Sequence, residues 1–114
     1  MINNRKTGSR YETVASEYLE NLGMTILERN FRTPSGEIDI IARDGDYLVF
    51  VEVKYRKNAA KGYALEAINP KKQSRIRKTA LQYIYSGKVS GFTPMRFDCI
   101  GITGDKLHYV RGAF

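Results

Sequence analysis

Gly36-Glu-Ile-Asp-Ile-Ile-Ala-Arg-Asp-Gly-Asp-Tyr-Leu-Val-Phe-Val-Glu-Val-Lys54 reads as two strands about a turn. Both arms are rich in β-branched and aromatic residues, and Asp44-Gly45 between them is a hairpin signal. A two-residue turn at Asp44-Gly45 sets Arg43 against Asp46, Ile41 against Leu48, Asp39 against Phe50 and Glu37 against Glu52. Strand alternation puts Phe50, Glu52 and Lys54 on one face, and cross-strand partners share a face, so Asp39 joins them. Asp39 and Glu52 are then diagonal neighbours, roughly 7–8 Å apart in the backbone. A four-residue loop preserves these faces, whereas a three-residue loop sends Asp39 to the other side. Val49, Val51 and Val53, with Ile38 and Ile40 across from them, supply a core on the opposite face.

Two carboxylates on one rigid face repel each other unless a hard cation such as Mg²⁺ or Mn²⁺ lies between them. Such a cation lowers the pKa of bound water and neutralises phosphate charge. Lys54, about 6.6–6.8 Å beyond Glu52 along the strand, is placed to orient that water or to stabilise a charged transition state. The pattern points to phosphodiester hydrolysis. Alternating charges also mark an ordinary solvated strand face, so the rest of the chain has to decide between the two.

Outward from the hairpin, Ser9 to Leu22 spaces Tyr11, Val14, Ala15, Tyr18, Leu19 and Leu22 as on a helix, and Gly23 stops it. Met24 to Phe31 reads as a strand, followed by a Pro34-Ser35-Gly36 turn. Tyr55 to Asn69 is basic at its start, contains Gly62 and lacks periodicity, which predicts a loop. Pro70 suits the first turn of a second helix, with Ile76, Ala80, Tyr83 and Ile84 as its apolar stripe and Gly87 near its end. Met95 to Thr103 and Leu107 to Val110 read as two strands about Gly104-Asp105. The order is α-β-β-β-α-β-β, without repeats, low-complexity tracts or linkers.

The 114 residues are expected to form a single domain over 1–114. Lys and Arg number 19 against 12 Asp and Glu, a net charge of +7, which favours a polyanionic partner such as nucleic acid. Cys99 is the one cysteine, which excludes an intrachain disulfide and a cysteine zinc cluster and fits a reducing cytoplasm. No apolar run nears the roughly 18 residues that span a bilayer, and Met1 to Arg10 is polar, so a cytoplasmic protein without a membrane partner is expected.

Gly36-Glu-Ile-Asp-Ile-Ile, Leu48-Val-Phe-Val-Glu-Val-Lys54, Lys72-Gln73, Arg96-Phe-Asp98 and Ala113-Phe114 together resemble the uncharacterised YraN-type family, over about Glu12 to Phe114. That family looks like a member of the PD-(D/E)XK nuclease superfamily and is similar to archaeal Holliday-junction resolvases. The resemblance implies a restriction-endonuclease-like α/β fold with an α-β-β-β-α-β core, its mixed central sheet flanked by helices. It matches Asp39 to the metal-binding aspartate, Glu52 to the second acidic ligand, Lys54 to the lysine and Gln73 to a polar residue that accompanies the lysine motif. Glu12 matches a first-helix glutamate that completes the metal site in resolvase-like members, although Tyr11 stands where the family carries Gly. Ser9-x-x-Glu12 also has the spacing of a capping box, a structural alternative for Glu12. Glu37 shares the Asp39 face and is open to three readings, a further ligand, a group supporting the ligands or a hydrogen bond tightening the Pro34-Gly36 turn.

Lys72 and Gln73 flank the Ile76 stripe at the start of the second helix, whose N-terminus favours phosphate. Lys71, Arg75 and Lys78 share its outer arc. Arg56, Lys57 and Lys61 follow Lys54, with Tyr55 and Tyr63 interleaved, a pattern suited to backbone phosphates and unpaired bases. Asp98 is expected to serve strand packing or an arginine pair, and His108 has no Cys or His near it in sequence. The expected activity is a divalent-metal-dependent endonuclease acting on DNA, with branched or damaged DNA among its substrates. The alternatives are a noncatalytic nucleic-acid-binding module or an interaction subunit of a DNA-processing complex. Analogy with resolvases adds a homodimer.

Overall fold

The computed structural model describes residues 4–58, 68–89 and 93–114, with only the backbone described at 4–9 and 88. Helix α1 (Asn4–Asn21) is followed by strands β1 (Thr25–Thr33), β2 (Gly36–Asp44) and β3 (Tyr47–Arg56). Helix α2 (Pro70–Tyr83) runs on into a π-helical turn (Ile84–Lys88), and β4 (Met95–Thr103) and β5 (Lys106–Val110) follow. The strands form one sheet in the order β1-β2-β3-β4-β5, antiparallel throughout except for the parallel β3 and β4 pair. A parallel neighbour requires a crossover, and α2 lies in it. This α/β arrangement is compatible with a restriction-endonuclease-like core. Among the described residues, no helix is long and apolar enough to cross a membrane.

Each face of the sheet buries one helix. Ala15 and Leu19 of α1 pack with Ile40, Val49, Val51 and Ile100, while Ile76, Ala80 and Tyr83 of α2 pack with Ile41, Leu48, Phe50 and Phe97. The period-2 alternation of β3 thus feeds two cores from one strand, as expected of a central strand covered on both sides. Asn69 caps α2, its side-chain oxygen accepting from the Lys72 amide at 2.9 Å, and Pro70 takes the first helical position, where no donor is needed.

Several expected boundaries move. Helix α1 starts at Asn4, so Ser9 lies inside it and cannot be its N-cap; the capping-box alternative for Glu12 falls. Strand β3 continues through Tyr55 and Arg56, which are therefore not loop residues. Residues 59–67 of the expected loop, Lys61 and Tyr63 among them, lie outside the described residues.

The hairpin register also moves. Asp44 pairs with Tyr47, Arg43 with Leu48 and Ile40 with Val51, which makes Gly45-Asp46 the two-residue turn. Gly45 has φ 60° at the first central position, where a type II′ turn wants glycine. Relative to the expected pairing the strands slide by two residues. Faces survive a slide of two, and the ladder ends at Ile40↔Val51, so Asp39 and Glu52 lie just beyond its last pair on neighbouring strands. Ile38 departs too, packing with Ile41 and Phe50 under α2 and not with Ile40 under α1. The alternation changes phase at Asp39, where the β2–β3 ladder ends.

Candidate metal centre and nucleic-acid site

Asp39 leaves the ladder to use its side chain: Oδ2 accepts a hydrogen bond from the Val53 amide at 2.7 Å. The Asp39 carboxyl faces that of Glu52, close enough to raise its titration through a hydrogen bond. Glu52 is only 5% exposed. Burial, then the bond to Asp39 and its charge, push the Glu52 carboxyl up to about 10, with Lys54 pulling the other way. The neighbouring negative charge disfavours ionisation of Glu52 unless a counter-charge intervenes. The buried Oε2 of Glu52 has no hydrogen-bond partner.

Lys54 follows one step along the same face, and Asp39, Glu52 and Lys54 all line a cavity of about 400 Å³. The expected convergence of these three is what the structure contains. Glu37, Lys72, Arg75 and Ile76 also line it, so carboxylates form one wall and cations of α2 overhang the other. The close approach of α2 depends on Gly36, where an added Cβ would lie 3.2 Å from Thr79 Oγ1 and 3.8 Å from Arg75 Cβ. A bond from Gln82 Nε2 to Ser35 Oγ at 3.1 Å ties the same turn to the helix.

Glu12 reaches this site from α1 and is 8% exposed. Its carboxyl is pushed up to about 7, first by burial and then by the Asp39 charge, with Arg29 opposing. Between Glu12 and Glu37 stands Asn30, to which the sequence pattern assigns no role. With its amide oriented by the groups it faces, the nitrogen lies 2.7 and 2.9 Å from the two Glu12 oxygens and 3.0 Å from Glu37 Oε1. Asn30 also has φ 55°, alone among the described non-glycine residues. An asparagine inside a strand pattern was the available signal. Glu37 pairs further with Arg32, Nε to Oε2 at 3.4 Å, across the two strands that flank the turn.

Gln73 does not face this cavity. It lines a second one of about 170 Å³ with Ile68, Cys99, Val110, Ala113 and Phe114, and its Nε2 lies 3.5 Å from the Ile68 carbonyl. Lys72 and Gln73 do flank the Ile76 stripe, but on opposite sides, and only the Lys72 side meets the carboxylates. Lys71, Arg75 and Lys78 are exposed on α2, Lys57 is exposed beyond β3, and Arg56 is half-buried. Asp98 is fully buried and takes Arg96 Nε and Gly112 N, each at 2.9 Å, together with the Tyr109 hydroxyl. This is the expected arginine pair, extended into a network that fastens β4 to β5 and to Asp44 of β2.

Among the described residues, no group of three or more His, Cys, Asp or Glu side chains is gathered to hold a metal ion. A cation would draw on the Asp39 and Glu52 pair, with water completing its shell. The oxygen-only donor set suits Mg²⁺ or Mn²⁺, and the unpartnered Glu52 oxygen fits such an ion.

The model of Uncharacterised protein family UPF0102 matches residues 11–102. The chain belongs to this family. A UPF0102 protein of Lachnoclostridium phytofermentans is 44% identical over 113 residues, 99% of this chain and 96% of that protein. Relatives of the same description from Clostridium botulinum and Syntrophus aciditrophicus are 48% and 42% identical, over 92% and 100% of this chain and 85% and 92% of their own lengths. The matched span contains every residue of the acidic cavity, so the site lies in the part of the chain that defines the family.

Proposed function

We propose that this UPF0102 protein is a PD-(D/E)XK-type nuclease that hydrolyses phosphodiester bonds in DNA with the help of Mg²⁺ or Mn²⁺. The observation that carries the proposal is the meeting of Asp39, Glu52 and Lys54 on one open cavity overhung by Lys72 and Arg75. The resemblance of the same residues to the nuclease superfamily supports it, as does a fold compatible with that core.

In this reading Glu52 gives up its proton to hold the cation beside Asp39, which makes binding pH-dependent. A bound divalent ion would supply charge neutralisation at the phosphate and a more acidic water. Lys54 orients the attacking water and offsets charge that develops on the phosphate oxygens. Lys72 and Arg75 take the neighbouring phosphates, and Lys71, Lys78, Arg56 and Lys57 extend the track along the backbone without reading bases. Branched and damaged DNA are the favoured substrates by similarity to junction resolvases, which also suggests action as a homodimer in the cytoplasm.

The test is a Mg²⁺ and Mn²⁺ titration with branched, single-stranded and duplex DNA, run on the wild type and on Asp39→Asn, Glu52→Gln and Lys54→Ala. Cleavage should require the cation and collapse in the two carboxylate variants, while much of the backbone binding persists. Lys54→Ala should lower turnover more than cation affinity. Cutting in excess chelator, or full activity of Asp39→Asn, would refute the assignment. DNA binding that ignores the cation, with no cleavage of any substrate, would instead mark a noncatalytic binding module.

A further inference from the structure

We infer that Asn30 is a positioning residue for the acidic site, its side-chain amide holding Glu12 and Glu37 beside Asp39. The inference rests on Asp39 and Glu52 being a cation site. Phe31 pairs with Ile38 and Arg29 with Ile40, so the count puts Asn30 opposite Asp39. Beyond the last β2–β3 pair, Ile40↔Val51, Asp39 Oδ2 accepts from the Val53 amide, which holds Asp39 beside Glu52. Asn30, Asp39 and Glu52 therefore lie near one another on three successive strands, and the end of the β2–β3 ladder before Asp39 leaves them to meet through side chains.

A primary amide has two N–H donors, and here they serve two carboxylates: Glu12 at 2.7 and 2.9 Å and Glu37 at 3.0 Å. The choice of a neutral donor matters. A lysine or arginine between Glu12 and Glu37 would hold them equally well but would cancel the negative charge that attracts a divalent ion. The amide satisfies both carboxylates without adding to the positive charge that Arg32 already brings to Glu37, as groups behind metal ligands commonly do. The backbone is suited to the same residue. At φ 55° most side chains are strained, whereas asparagine tolerates the left-handed region several-fold better than other non-glycine residues.

These two contributions can be separated. Asn30→Gly keeps the backbone conformation and deletes the amide, and Asn30→Ala deletes the amide and strains the backbone. Asn30→Asp keeps the shape but replaces the donor with a further negative group. Mn²⁺ affinity would be measured by calorimetry without DNA, alongside thermal unfolding of each variant. Wild type should bind Mn²⁺ and Asp39→Asn should not. Asn30→Gly should bind about tenfold more weakly than wild type while it still unfolds cooperatively. Asn30→Asp should not restore the affinity, and Asn30→Ala should unfold at a lower temperature than Asn30→Gly. Equal Mn²⁺ affinity of Asn30→Gly and wild type would overturn the inference, leaving Asn30 a backbone role alone. Absence of Mn²⁺ binding by wild type would overturn the cation site itself, and the inference with it.

Discussion

Replacing Glu52 by glutamine should abolish cleavage yet make the cation-free protein more stable at neutral pH. Glu52 is 5% exposed, and its carboxyl is raised from an ordinary 4.5 to about 10 by burial and by Asp39. The folded protein therefore keeps a proton that the unfolded chain gives up. A raised carboxyl contributes stability that is fully present below pH 4.5 and is lost as pH rises through about 10. Over that window the loss is about 1.4 kcal/mol per pH unit, so by pH 7 it reaches about 3 kcal/mol. Only a folded value above 7 is needed for this figure. Glu12, raised to about 7, steepens the same slope below neutrality. Glutamine has the shape of the protonated acid and titrates nowhere in this range. Glu52→Gln should match wild type near pH 4 and exceed it by up to about 3 kcal/mol at pH 7. Urea unfolding followed by circular dichroism in chelator, at unit steps from pH 4 to 8, measures both. Adding Mn²⁺ at pH 7 should raise the Tm of wild type and leave Glu52→Gln unchanged. A wild-type stability that is flat from pH 5 to 8, or a variant no more stable at pH 7, would refute the account of the acidic pair.

Neutralising Lys71, Arg75 and Lys78 together should weaken binding to all DNA sequences alike and flatten the salt dependence by about one unit for each phosphate left without its cation; an unchanged slope would move the binding surface elsewhere. Asp98→Ala leaves Arg96 and Tyr109 without their shared acceptor in a site that is fully buried at Asp98. It should cost about 3–5 kcal/mol in urea unfolding, and a cost below about 1 kcal/mol would show that the network is dispensable.

The element order and the common face of Asp39, Glu52 and Lys54 were legible in the chain, whereas the covering of β3 on both sides was implied only by the family resemblance. They follow from side-chain alternation, and a register error of two residues leaves a face unchanged. The hairpin register was not legible, because it depends on which residue of the turn takes positive φ. Asp44-Gly45 suggested one pairing, and Gly45 at the first central position selected the other. The role of Glu12 turned on where α1 begins, and Asn4, not Ser9, opens the helix. Lys72 and Gln73 were equivalent on a helical wheel until Gly36 docked against Thr79 and Arg75, turning one flank of α2 to the carboxylates and the other to a separate cavity. Asn30 is the clearest case of tertiary control. Nothing local marks it as a partner of Glu12, eighteen positions away, until α1 and β1 pack and two carboxylates require a donor.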